Sequence, residues 1–593
     1  MDKKYEWDLT KIFKNENEYN KTIEEVKELT KQLVSLKGKI MKNSDSLLQT
    51  LELDSKLDLL IERLYVYSFL GYYENMGNVK FQEYKERILS LVSEISSETS
   101  FITPELLSSS YDVVLKYIKS NNKLEKYRIM LERTFRYKEH VLSDKEEKIL
   151  SDMSEITRIP KSTYDELNNV DSDFGKIKDE NGNSVVLTSA NYGMFLSSKD
   201  RKVRQSAFNK KYKFYENHIN TISSLYIGKV KTNCMLSRIR KYNSVLEMAL
   251  FSDNIDTKLY DSLIKVTDDN IKYLKDFYEF KGKSLGYKLH MYDLYVNTSK
   301  HPDKKVTYTE ALKIVNEGLK PLGKDYLEKF NHLINNRCVD VYPKDKKRSG
   351  AYEWGTYGYE PYVSLNFDGT MDNVSTLAHE MGHAMHTYYS NSSQDYIYAS
   401  YPIFLAEIAS TVNEILLSEY LYKNTTDKDE KEYYLIEFLD KFKATVYRQV
   451  MFGEFEKIIH NKYENKEALT KDLLCDTYLD LNKKHFGGSV VVDDTIKYEW
   501  ARIPHFYDSF YVYKYATGFI SALLIADRLL NTNDFKDKYI NKFLSSGDIM
   551  YPLDLLKSID IDLTDKKTLE RAFVIFSEKL NELKKLEGCE IDG

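Results

Sequence analysis

No two cysteines in this chain stand close enough in sequence to form a C-x-x-C element: the four are Cys234, Cys338, Cys475 and Cys589. That spacing gives neither a disulfide framework nor a cysteine zinc site. Proline and glycine are scarce too, 9 and 23 in 593 residues. Both residues punctuate turns, so their scarcity points to a mostly helical protein rather than one of many short strands. There is no run of about 18 apolar residues, which argues against a transmembrane helix. Met1 to Glu6 is polar and carries no apolar signal-peptide core, so a cytoplasmic, reducing setting is expected. Nor is there an excess of positive charge. Lys and Arg number 86 against 92 Asp and Glu, a net charge of −6, which speaks against a general nucleic-acid binder.

What is present suits a globular protein with a sizeable core: 42% hydrophobic and 30% charged residues. Apolar residues recur at helical spacing through Leu57, Leu60, Ile61, Leu64 and Tyr67, and again through Phe81–Ile95 and Lys145–Ile156. Two short extended runs then flank Asp179-Glu180-Asn181-Gly182-Asn183, a hairpin turn signal. Helical periodicity resumes at Asp200 and runs through Lys202–Leu236. We place a boundary there, between an N-terminal helical lobe with a small hairpin (1–200) and a second part (201–593). No long linker marks it, so tight packing of the two is expected. Aromatic-rich runs at Ser349–Trp354 and Pro361–Phe367 read as strands, Asp372–Tyr389 reads as helix, and Val490–Val492 follows a glycine pair.

The sharpest signal is His379-Glu380-Met381-Gly382-His383. Residues four apart share a helical face, so both imidazoles can be aimed at one zinc ion. Glu380 stands beside them, placed to take a proton from water. With 11 His and 92 acidic residues, such a pattern is expected about 0.03 times by chance in a chain of this length. His386 lies on the same face, but about 10 Å along the axis from His379, too far for one straight helix to converge all three. A better third ligand lies downstream. Glu407, Ser410, Thr411 and Glu414 form a polar stripe on an otherwise apolar helix, and buried charge calls for a partner such as a metal. Spacing alone leaves Glu407 and Glu414 as alternatives, the other orienting a histidine.

With Phe404-Leu405-Ala406-Glu407-Ile408-Ala409-Ser410 following the H-E-x-x-H motif, the sequence resembles the oligoendopeptidase F family, a branch of the thimet-oligopeptidase-like zinc peptidases. Tyr5-Glu6-Trp7-Asp8-Leu9, Arg448 to Glu456 and Ile503-Pro504-His505-Phe506-Tyr507 match in style and order, so the resemblance covers nearly the whole chain. It implies a mostly α, two-lobed metallopeptidase enclosing a deep substrate channel, with a small β-sheet beside the zinc-binding helix. It also implies one Zn2+ per chain, with Glu407 as third ligand to His379 and His383.

Peptide hydrolysis develops negative charge on the scissile carbonyl oxygen, and one well-placed donor there is worth about 3 kcal/mol. The family resemblance gives that role to a histidine and tyrosines of the segment from Tyr498 to Gly518. His505 matches by its setting. Among Tyr507, Tyr511, Tyr513 and Tyr515 we favour Tyr511 and Tyr515, which share a face if the segment is helical. Gly350-Ala351-Tyr352-Glu353 is a candidate strand edge for an extended peptide backbone. The expected activity is therefore a zinc-dependent endopeptidase acting on short unstructured peptides in the cytosol, with Glu380 as base, no nucleic acid, no membrane and no assigned oligomeric state. The alternative is a zinc carboxypeptidase or dipeptidyl carboxypeptidase of a related helical fold. That enzyme needs a contact for the substrate's free C-terminus, for which Arg348, Arg448 and Arg502 are candidates. A catalytically dead peptide-binding scaffold would have lost a ligand or the base, and all are present.

Overall fold

Few glycines and prolines leave long uninterrupted helices, and 72% of the computed structural model is helical, with only small sheets. Residues 2–296, 298–299 and 304–588 are described. Cys234, Cys338 and Cys475 are free and buried, while Cys589 lies outside the described residues. Among the described residues no helix is long and apolar enough to cross a membrane. Eight helices matter here: α1 (Glu16–Val34), α2 (Ser44–Glu74), α3 (Val79–Thr99), α4 (Arg201–Ile239), α5 (Met371–Ser393), α6 (Ile403–Asn424), α7 (Arg448–Glu464) and α8 (Tyr513–Asn531). The strands are β1 (Lys176–Lys178), β2 (Ser184–Val186), β3 (Leu289–His290), β4 (Val339–Asp340), β5 (Tyr352–Trp354), β6 (Tyr362–Ser364) and β7 (Val490–Val491). Side-chain caps set several helix starts: Asn15 accepts from Glu18 N–H at 3.1 Å, Asn43 from Ser46 N–H at 2.9 Å and Asp200 from Lys202 N–H at 2.8 Å.

The chain forms two compact units, each built from three separate stretches. The first comprises Met1–Glu139, Asp303–Leu421 and Ile525–Ile561. In it α1, α2 and α3 pack together through the apolar stripes that the sequence displays. Leu57 and Leu64 are buried, and the rings of Tyr19 and Tyr84 stack at 4.2 Å. A three-stranded sheet of order β4-β6-β5 lies against α5. Strand β4 runs parallel to β6 (Val339↔Val363), and β5 runs antiparallel to it (Glu353↔Val363), so β5 is an edge. Lys347 ties this region down. Its buried ammonium donates to the carbonyls of Asp340, Tyr342 and Leu365 at 3.1, 2.9 and 2.5 Å, and pairs with the Asp340 carboxylate at 3.2 Å.

The second unit comprises His140–Pro302, Tyr422–Leu524 and Asp562–Gly593. Its spine is α4, 39 residues long, which packs on the helix Ser154–Asn169, on α7 and on the 3₁₀ segment Asp494–Arg502. The hairpin read from Asp179–Asn183 forms between β1 and β2. The Asp179 side chain accepts from the N–H groups of Asn181 and Asn183 at 2.9 and 2.7 Å, and Gly182 takes φ +80° at the turn. Strands β3 and β7 pair in parallel.

Within this unit Asp293, fully buried, receives Arg204, also fully buried, and Arg201, each at 2.8 Å. Removing the carboxylate charge strands the Arg204 guanidinium in the interior. Asp293→Asn is expected to lower the unfolding free energy by about 3–5 kcal/mol. Breaking the exposed Lys27–Glu24 pair (3.0 Å) with Lys27→Ala is expected to cost far less, because water screens both charges. Urea midpoints followed by circular dichroism compare the two, and equal shifts refute the assignment.

Candidate functional site

Thr370 caps α5, its hydroxyl accepting from Asn373 N–H at 3.3 Å. One turn of that helix separates His379 from His383, and the two rings lie with centroids 4.9 Å apart. Helix α6 passes against α5 at Gly382. A Cβ placed there would meet Ser410 Cα at 2.6 Å and Ala409 O at 2.9 Å, so only glycine admits this approach. Asn413 fastens the crossing by donating to Ala378 O at 3.0 Å. The polar stripe of α6 is thereby laid over the two histidines.

Glu407 Oε2 lies 3.4 Å from His379 Nε2 and 3.5 Å from His383 Nε2, and the two nitrogens are 3.2 Å apart. A tetrahedral ion with bonds of about 2.0–2.1 Å holds its ligand atoms about 3.3 Å from one another. The three atoms therefore fit one such ion and leave a fourth vertex open. Glu414 faces the other side of His379, bonding Nδ1 through Oε1. A carboxylate there holds the ring with Nε2 free to act as a ligand. Geometry thus separates the two glutamates that spacing left as alternatives. Glu407 is exposed, not buried as its helix suggested, and the side-chain bonds from His379 and His383 hold its carboxyl well below the usual range. Glu380 is only 8% exposed, and burial pushes its carboxyl up while the two histidines pull it down and Glu407 adds to the rise. His386 is fully buried, stacked on Tyr401 at 3.7 Å, and burial lowers it to about 3, a packing role outside that triangle of atoms.

One carboxyl in this surrounding was not singled out as reactive by the sequence reading. Glu353 of β5 is pushed up to about 7 by burial, with opposing pull from His383 and a further push from Glu380. The signal available was an acidic residue between two aromatic ones in a strand.

The second unit gathers the other residues read from the sequence. His505 Nε2 and Tyr515 Oη are 3.2 Å apart, and the Tyr511 and Tyr515 rings meet edge-on at 5.4 Å. Tyr515 lies in the first turn of α8, whereas Tyr511 precedes the helix, where Phe510 takes the left-handed φ of +56°. Backbone bonds from Lys514 N–H to Tyr511 O at 3.1 Å and from Tyr515 N–H to Val512 O at 3.2 Å wind the chain between them, so the two tyrosines converge at near-helical spacing. Tyr507 and Tyr513 are buried, at 3% and 1% exposure, while His505, Tyr511 and Tyr515 remain half-buried. Burial lowers the His505 pKa. Of the three arginines, Arg448 and Arg502 both donate to Glu499 Oε1, at 2.6 and 2.8 Å, and Tyr478 donates to its other oxygen at 2.7 Å. A second set of possible metal ligands, Asp268, Glu454 and His485, is already served: the Lys484 ammonium lies 2.7 Å from both carboxylates.

Comparison with known proteins identifies the family. A family model described as peptidase family M3 matches residues 194–575, and one described as oligopeptidase F matches residues 105–174. The chain is 39% identical to oligopeptidase PepF of Bacillus subtilis over 582 residues, which is 98% of this chain and 87% of that protein. It is 36% identical to group B oligopeptidase PepB of Streptococcus agalactiae, across 99% of this chain and 98% of that one. The crystal structure of oligoendopeptidase-F from Enterococcus faecium superposes with a TM-score of 0.74 at 33% identity, covering 96% of this chain and 99% of that chain.

The close crossing at Gly382 makes a direct prediction. Gly382→Ala gains about 1 kcal/mol of helix propensity, but it must push α6 away. Overpacking of this kind typically costs about 1–3 kcal/mol. A net fall in Tm, with weaker metal retention after dialysis, is expected. A Tm equal to or above wild type refutes the constraint.

Proposed function

The chain belongs to peptidase family M3, among the oligoendopeptidase F proteins, and is a metalloendopeptidase; on that premise we propose that it holds one zinc ion on His379, His383 and Glu407 and cleaves internal bonds of short, unstructured peptides. The observation that carries this reading is the triangle of 3.2, 3.4 and 3.5 Å between the three ligand atoms. Two imidazoles and a carboxylate are also a donor set suited to zinc. Zinc bound there supplies a Lewis acid that polarises a carbonyl and lowers the pKa of water toward about 7.

The chain's own groups do the rest. Glu380 accepts a proton from the attacking water as the C–O bond forms. It returns that proton to the amide nitrogen as the C–N bond breaks. Burial raises its pKa, which suits a group that first takes and then returns a proton. His505, Tyr511 and Tyr515 are the proposed donors to the carbonyl oxygen, supported by the family setting of Ile503–Tyr507 and by their mutual contact. The buried free thiols accord with a reducing, cytosolic setting. The exopeptidase alternative loses two of its three candidate arginines, since Arg448 and Arg502 already share Glu499.

A peptide blocked at both ends tests the reading. Internal cleavage seen by mass spectrometry, abolished by a chelator and restored by zinc, is expected; products from the C-terminus of unblocked peptides alone overturn it. Glu380→Gln should retain the metal and lose about 10²–10⁴ in kcat; activity within tenfold of wild type removes its role as base. Glu407→Ala should empty the site on dialysis, while Glu414→Ala should weaken metal affinity by about 10–100-fold. Atomic absorption reads both, and the reverse order reverses the assignment.

A further inference from the structure

Arg348 stands in the first unit where the chain enters β5. Its backbone is pinned on both sides. The N–H donates to Tyr73 O at 2.9 Å, and the carbonyl accepts from Asn366 Nδ2 at 3.1 Å, which also donates to Gly350 O at 2.6 Å. The guanidinium lies over the ring of Tyr73, 4.2 Å from its centroid, and 5.2 Å from that of Tyr352. Arg348 is exposed, and among the described residues no carboxylate pairs with it. Arg448 and Arg502, by contrast, are committed to Glu499. Stacking on aromatic faces fixes a guanidinium while leaving its N–H edge free, the arrangement that suits bidentate capture of a carboxylate.

The position of this cation along the sheet gives it meaning. Strand β5 is the edge of β4-β6-β5, and no further strand pairs with it among the described residues. An antiparallel partner is slightly the more stable choice for such an edge. A peptide laid antiparallel on β5 runs its C-terminal end toward the start of β5, and so toward Arg348. The reacting end is marked by Glu353, because β5 packs against α5, the helix that carries His379, Glu380 and His383. Glu353 and Arg348 are five positions apart in the chain, roughly 16 Å if fully extended. The turn at Gly350, with φ +82°, shortens that span. It corresponds to about three to five residues of substrate.

We propose that Arg348 binds a carboxylate of the substrate lying about three to five residues beyond the cleaved bond, whether the C-terminal α-carboxylate or an acidic side chain. The inference rests on the endopeptidase reading and deepens it. The site does not require a terminus for cleavage, but it lowers KM for peptides that carry a carboxylate at this distance.

Peptides with one common scissile bond, acetylated at the N-terminus and carrying one to eight residues after that bond, test it. Each is made as free acid, as amide, and as amide with Glu at the last position. Wild type should show KM about tenfold lower for the free acid than for the amide at three to five residues, with little change in kcat. In Arg348→Gln the acid-to-amide ratio should fall within about twofold, and Arg348→Lys should recover part of it. The ratio is taken within one preparation, so a smaller folded fraction leaves it unmoved. A gain from the Glu amide that also needs Arg348 shows that a side-chain carboxylate serves; a gain from the free acid alone assigns the site to the terminus. Equal KM for all three forms at every length, or a ratio unchanged in Arg348→Gln, overturns the proposal. Chelator-sensitive cleavage of the amides stands apart from these ratios, so failure here is distinct from failure of the endopeptidase reading.

Discussion

The close crossing of α5 and α6 at Gly382 is the contact on which the rest of the site depends. A side chain there would lie 2.6 Å from the Ser410 backbone, so its absence sets the separation of the two helices. That separation decides whether Glu407 reaches the Nε2 atoms of both histidines. It decides equally that Glu414, two turns further along α6, meets the far nitrogen of His379. Once the helices are locked, one carboxylate orients the ring and another completes the triangle. Neither has freedom to exchange roles, because both are carried on one rigid helix.

The same packing sets the acid–base character of the region. Glu380 lies beneath the surface beside two imidazoles and not far from a second carboxylate. Desolvation disfavours its charge and the histidines favour it, so the two influences oppose each other. Glu353 experiences a stronger version of the first, its carboxyl being raised to about 7. Two carboxyls with raised affinity for protons around one potential reaction centre are a feature of this chain's first unit. In the second unit, partial burial lowers the pKa of His505, whose ring nitrogen meets Tyr515. A neutral imidazole and a phenol are both donors that carry no net charge into a low-dielectric setting.

Arginine usage follows a similar logic of commitment. Arg448 and Arg502 converge on Glu499, whose carboxyl they hold below its ordinary range although burial works the other way. Two guanidiniums around one buried carboxylate form a structural knot, with Tyr478 closing the last acceptor. Arg348 is stacked on tyrosine faces instead, with no acid partner among the described residues. In the sequence, the three arginines were indistinguishable as contacts for a substrate carboxylate. Their surroundings separate them.

Several elements were legible from the sequence because their causes are local. The 3.6-residue repeat places Leu57 and Leu64 on the inner face of α2, the Asp179–Asn183 run carries its own turn chemistry, and Asp200 caps α4 by its own side chain. The pairing of His379 with His383 is also local, being one turn of one helix. The choice of Glu407 over Glu414 as the residue facing both Nε2 atoms is not local: it depends on where α6 crosses α5. The meeting of Tyr511 with Tyr515, by contrast, is local: backbone bonds from Lys514 N–H to Tyr511 O and from Tyr515 N–H to Val512 O wind the chain from one into the other. The parallel pairings β3–β7 and β4–β6 are not legible because β3, β4 and β7 have two residues each, too few for a periodic pattern. What the sequence determined by itself was helix content, the metal-ligand motif and the family resemblance, all written in neighbouring residues. Tertiary structure alone decided which carboxylates and arginines are free to act, because burial and pairing are properties of side chains brought together from distant parts of the chain.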